Sequence, residues 1–247
     1  MAIVCIAGVA RGIGKTAVAE FLLARLGKER AAGAETRRAT WHTARVRVAD
    51  EIPETDAARI GDEGSRVVMD ADDAEVRRLH DAGAVSTAVL LAEARGLEAG
   101  LDTLLTALPR GANILVEGNA FLWARRADLA VMVIGPGPSG KGLAPVRPAT
   151  RELFGKIDLW TWNTRGDPVA EGFFEFPQAL VRMGFRGGVT NRADFHHVNP
   201  RETGYEGNRA FLKAMRRHID RIGIRRESDE FLRRIGFDTR DEGGRDG

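Results

Sequence analysis

Cysteine, tyrosine and lysine are scarce in this chain, and each scarcity excludes something. The single cysteine in 247 residues, Cys5, cannot close an intrachain disulfide, so nothing here asks for an oxidising compartment. It falls inside an apolar run and reads as a small buried packing residue. No stretch approaches the about 20 apolar residues needed to cross a bilayer. The opening residues also lack a basic segment followed by a long apolar run, so a cytoplasmic location is expected. Of the 37 lysines and arginines only five are lysine, and net charge is just +2, which makes no case for a nucleic-acid partner. The five histidines form no metal cluster. His196 and His197 are adjacent, without nearby cysteine or a spaced carboxylate, and read as loop histidines. No Ser-His-Asp arrangement can be read either.

What is present is ordinary in bulk: 43% hydrophobic and 29% charged residues, enough chain for one α/β domain with a sizeable core. The informative stretch is the beginning. Ala2-Ile3-Val4-Cys5-Ile6-Ala7-Gly8 reads as a buried strand, Val9 to Gly14 as a glycine-rich turn, and Ala17 to Leu26 as a helix, with Lys15-Thr16 at the junction. This order is the context a phosphate-binding P-loop requires. Glycines let successive backbone N–H groups turn towards an anion, and a helix start adds free donors and the positive end of its dipole. The nucleotide-binding set expected from this segment is Gly8, Arg11, Gly12, Ile13, Gly14, Lys15, Thr16 and Ala17. Lys15 would reach the terminal phosphates, and the Thr16 hydroxyl would ligate Mg²⁺. The loop is Gly-x5-Gly-Lys-Thr, one residue longer than the usual spacing.

Further along, periodicity and turn residues predict alternating elements. Strands are expected at Trp41–Val48, Ser86–Leu91, Asn113–Val116, Asp128–Ile134 and Ile157–Trp162. Helices are expected at Asp72–Ala82, with Asp72 or Asp73 as cap and Gly83 as stop, at Leu97–Leu108, and beginning at Ala149–Phe154. Glu51 to Ser65 reads as an acidic loop over the nucleotide, and Gly166 to Asn199 as irregular. Gly207 to Ile222 is an amphipathic helix with Phe211, Met215, Ile219 and Ile222 on one face and arginines elsewhere. The fold class implied is α/β: a mostly parallel sheet covered by helices on both faces, three layers in all. One domain is expected over 1–237, with a helical extension at about 205–237 and a disordered tail at 238–247.

Two carboxylates and an amide complete the candidate site. Glu117 ends an apolar strand just before Gly118, which places it at the carboxyl edge of the sheet, where ligands of open α/β sheets collect. It would order Mg²⁺ or the attacking water, and Asp50, at the end of the second strand, is a second candidate for metal and catalysis. Asn163 follows an apolar strand and could present both a donor and an acceptor to a purine edge. Gly135 to Gly142 also fits Gly-x4-Gly-Lys, but Gly142 replaces the metal-binding hydroxyl and Pro145 and Pro148 oppose an immediate helix, so it reads as a surface loop.

The long loop, with Gly8, Gly12, Gly14, Lys15 and Thr16, resembles those of dethiobiotin synthetase and the cobyrinic acid amidating enzymes. That P-loop class also holds the ParA/MinD ATPases and metallocofactor-maturation GTPases. The ParA/MinD signature lysine would fall at Ala10, which disfavours that subgroup. Val116-Glu117-Gly118 is similar to segments of dethiobiotin synthetase and of the molybdopterin-guanine dinucleotide biosynthesis protein B (MobB) family. The synthetase, however, follows with further glycines where Asn119-Ala120-Phe121 stand here. Glu75 to Ala84 looks like a MobB segment, Arg78, Ala82, Gly83 and Ala84 matching and Glu75 replacing the family's Asp. The resemblance covers about the first 165 residues and implies a Mg²⁺-dependent NTPase binding GTP or ATP in support of molybdenum-cofactor assembly. Two alternatives stay open: an ATP-dependent ligase resembling the synthetase, and a nucleotide-gated module that docks a client protein through the C-terminal helix. Homodimerisation accords with the class.

Overall fold

A computed structural model of the chain describes residues 1–27, 40–50, 64–136, 144–165 and 194–234. The apolar opening run forms β1 (Ile3–Gly8), and the Gly-rich turn delivers it into α1 (Lys15–Leu26). β2 (Trp41–Val48), β3 (Ser65–Met69), α2 (Ala74–Asp81), β4 (Thr87–Ala92) and α3 (Leu97–Ala107) follow. The chain continues through β5 (Asn113–Glu117), α4 (Asn119–Ala124), β6 (Leu129–Ile134), α5 (Pro148–Arg151), β7 (Leu159–Asn163), β8 (Asp194–Val198) and α6 (Glu206–Arg234).

The eight strands form one sheet in the order β3-β4-β2-β5-β1-β6-β7-β8. Every pairing is parallel except β3 with β4. Parallel strands need crossover connections, and helices supply them between most neighbours in sequence. β6 and β7 are buried along their whole lengths rather than at alternate residues, as strands covered on both faces must be. The protein is therefore an α/β fold whose mostly parallel sheet is flanked by helices. α1 packs against α2, and α3 against α4.

Local chemistry explains the element ends. Asp73 caps α2, its Oδ1 accepting from the Val76 N–H at 2.7 Å, and Gly83 stops it with a φ of +112°. Asp70 takes a positive φ of 46° after β3, and its carboxylate accepts from the Thr87 N–H at 2.7 Å, which pins β3 beside β4. α6 runs 29 residues, about 43 Å at 1.5 Å per residue. Phe211 anchors it, stacking on Phe21 of α1 with 6.5 Å between centroids and lying 6.1 Å from the His196 ring. Among the described residues no helix is long and apolar enough to cross a membrane.

Several expectations need correction. Ser65 opens a strand rather than closing a loop, because Val67 and Val68 find an antiparallel partner in β4. His196 and His197 lie in β8, not in a loop, since Asp194 to Val198 pairs with β7. The expected helix from Ala149 to Phe154 is one short turn, α5, followed by a 3-10 turn at Phe154–Lys156. α4 follows β5 at once where no helix was expected. The acidic stretch 51–63, the Gly-Lys loop with Lys141, residues 166–193 and the tail fall outside the described residues.

Candidate functional site

The turn between β1 and α1 is shaped by its glycines. Gly12 and Gly14 take φ values of +69° and +93°, in the left-handed region. A Cβ on Gly14 would collide with the Asn163 amide, and one on Gly8 would sit 2.7 Å from the Ile13 side chain. α1 starts without a side-chain cap, so its first-turn N–H groups are left for solvent or an anion.

Two asparagines distant in sequence hold this turn. Asn119, at the start of α4, accepts from the Gly8 N–H and donates to the Gly8 carbonyl, both at 2.9 Å. It also donates to the Thr150 hydroxyl at 3.3 Å. Asn163, only 3% exposed at the end of β7, donates to the Ile13 carbonyl at 3.1 Å and accepts from the Arg165 N–H at 3.2 Å. The Arg165 guanidinium in turn donates to the Gly12 carbonyl. Asn163 thus touches the loop through one amide hydrogen and keeps a second for another acceptor.

At the base of the loop the Thr16 hydroxyl donates to Glu117 Oε1 at 2.9 Å. β5 lies directly beside β1, with Glu117 in register with Ile6, and this adjacency brings together two residues 101 positions apart. Glu117 is 8% exposed and its other oxygen lies 3.5 Å from the Arg45 Nε. Arg45, 6% exposed in the middle of β2 and opposite Glu117 in register, extends to Glu75 and, at 3.9 Å, to Asp73 at the start of α2. Arg47 pairs with Glu75 at 2.8 Å. A chain of charges therefore runs from Thr16 through Glu117 and Arg45 to the α2 N-terminus.

Lys15 is held below the ordinary lysine range, first by desolvation and then by the nearby Arg147 and Arg45, with Glu117 opposing the shift. It faces a cavity of about 310 Å³ lined also by Arg11, Arg147, Asn119, Thr150 and Trp123, the last 47% exposed. A neighbouring cavity of about 330 Å³ shares Arg11 and Arg147 and is walled by Ile13, Pro136 and Arg165. Among the described residues no carboxylate lines either space.

The expected residues therefore do not all converge. Gly8 to Ala17, Glu117 and Asn163 assemble at the carboxyl end of β1. Asp50 lies beyond β2, exposed, and among the described residues makes no bond to the loop, Thr16 or Glu117. Arg45, Asn119, Arg147 and Trp123 belong to the site but had no assigned part in it from sequence. Arg45 carried little readable signal, since β2 also holds His42, Thr43 and Arg47. Among the described residues no group of three or more His, Cys, Asp or Glu could cage a metal. Mg²⁺ bound with phosphates asks for less, one or two protein oxygens, and the Thr16–Glu117 pair fits that need. No family model matches the chain, and no curated protein is significantly similar to it.

Proposed function

We propose that the chain binds a nucleoside triphosphate, GTP or ATP, with Mg²⁺ in the loop between β1 and α1, and hydrolyses it. The observation that carries this reading is the 2.9 Å bond between Thr16 and Glu117 at the foot of an uncapped helix start bearing Lys15. A hydroxyl and a carboxylate so placed suit one cation that also takes phosphate oxygens.

In this reading Thr16 Oγ1 and Glu117 hold Mg²⁺, which when bound neutralises charge on the β- and γ-phosphates. The N–H groups of Gly12 to Ala17 surround the phosphates. Lys15 meets the terminal phosphate, and a bound anion favours the protonated form against the desolvation that opposes it. Glu117 orients the attacking water, while Arg11 and Arg147 balance charge spread over the transferring group. Asn163 keeps the loop in shape and offers its remaining N–H to the base. The place in metallocofactor maturation, MobB-like, is supported by the motif resemblance at Glu75–Ala84 and Val116–Gly118. Docking of a client through α6 and homodimerisation are part of the same proposal.

One observation favours a second reading. Among the described residues the cavity beyond Lys15 has three cations, a half-exposed indole and no carboxylate, so it suits an anionic phosphoryl acceptor as an ATP-dependent ligase requires. The acceptor oxygen would then attack the γ-phosphorus, and the bond to the β-phosphate would break with its electrons left on the nucleoside diphosphate.

Titration of the purified protein with ATP and GTP, with and without Mg²⁺, tests the site. Lys15→Ala is expected to weaken binding about tenfold to a hundredfold, the loss of one charged hydrogen bond or two. Equal binding by parent and variant would remove the phosphate-site assignment.

A further inference from the structure

A cavity of about 660 Å³ lies away from the loop. It sits at the opposite edge of the sheet, where Asp128 and Asp158 lead into the amino ends of β6 and β7, and α6 forms its wall. His218, Arg221, Ile222, Arg225 and Arg226 line it, at the i, i+3, i+4, i+7, i+8 spacing of a single helix face. A helix with a solvated basic face turns its arginines away from the protein body and its apolar side inward. α6 keeps that apolar side, with Phe211 and Met215 fully buried, while Arg221 and Arg225 are exposed along the rim of the cavity and Arg126 joins them from the turn before β6.

The acidic groups at the floor offset these charges only in part, two aspartates standing against the four arginines Arg126, Arg221, Arg225 and Arg226. Asp128 Oδ2 accepts from the Ile3 N–H at 2.7 Å and from Arg226 at 2.6 Å, so this pair is spent on holding β1 and α6. Asp158 Oδ2 accepts from the Ala130 N–H at 2.8 Å. Among the described residues Arg126, Arg221 and Arg225 have no carboxylate within ion-pair distance. Three planar guanidinium groups around one space match the bidentate geometry of phosphate oxygens. A volume of this size admits a small molecule rather than a single ion.

We infer that this cavity is a second anion site, taking a small molecule that carries two or more phosphate groups. It is independent of the loop, since it shares no residue with either cavity there. A ligand held here bridges α6 to the starts of β6 and β7, the strands whose far ends lead to Pro136 and Asn163, so occupancy would set α6 from the side opposite the nucleotide.

Isothermal titration of Lys15→Ala protein with inorganic triphosphate tests the site with the loop weakened. One saturable site per chain is expected. Arg221→Gln with Arg225→Gln should weaken it at least tenfold, at an unchanged thermal midpoint. The charge-matched pair Arg209→Gln with Lys213→Gln, exposed on the same helix but outside the cavity, should leave it within twofold. Absence of saturable binding, or an equal loss in both double variants, overturns the inference.

Discussion

Arg45 and Glu117 face one another across β2 and β5, and burial makes each depend on the other. Removing one member of a buried pair leaves an uncompensated charge, which costs about 3 kcal/mol or more. Arg45→Met should therefore lower unfolding stability by about 3 kcal/mol in urea, and the double variant with Glu117→Gln should recover over half of it. An additive double variant would mean that the pair is not coupled. Lys15 carries a second prediction, in pH. Because burial lowers its pKa in the folded state, the unfolded chain binds this proton more tightly. Its effect on stability then favours folding as pH rises through the folded value and levels off above the unfolded value, near about 10.4. Urea midpoints from pH 8 to 10.5 should rise more for the parent than for Lys15→Met. Of these residues, Lys15, Thr16 and Glu117 were readable because each is marked by its immediate neighbours. The partnership of Arg45 with Glu117 was not, since it exists only once β2 and β5 are known to be adjacent.

At the level of elements, α2 shows how a local cap serves a distant site. Its N-cap Asp73 and first-turn Glu75 also receive Arg45 and Arg47 from β2. Asp73→Ala is expected to cost about 1 kcal/mol from the lost cap, read as a shift of the urea midpoint. A variant as stable as the parent would show that the helix start is held by α1 contacts instead. This helix was legible to within two residues, cap included, because capping is written in three or four consecutive residues. β1, β5 and β6 were equally plain as apolar runs, and β2 as an alternating segment with β-branched residues. β3 and β8 were not. Ser65–Met69 and Asp194–Val198 are short edge strands with mixed sequences, and strand identity there comes from the neighbour they pair with. α4 was missed because Gly118, with its φ of +138°, turns the chain straight from strand to helix without the usual polar linker.

For the molecule as a whole, alternating strands and helices foretold a parallel sheet but not its order. Order depends on non-local pairing: β1 lies between β5 and β6, both encoded more than a hundred residues later. The far side depends on packing of the same kind, with Phe211 of α6 joining α1 and β8. Phe211→Ala should cost about 4 kcal/mol, as for other fully buried aromatic side chains, with a matching fall in the thermal midpoint. A loss under 1 kcal/mol would show that α6 is dispensable to the body of the fold. The asparagines that grip Gly8 and Ile13 lie 111 and 150 positions downstream. During synthesis on the ribosome, a nascent chain that has exposed only its first helix therefore owns the right glycines but not the clasp that shapes them. The turn can take its folded shape only after the segment through Asn163 has been made.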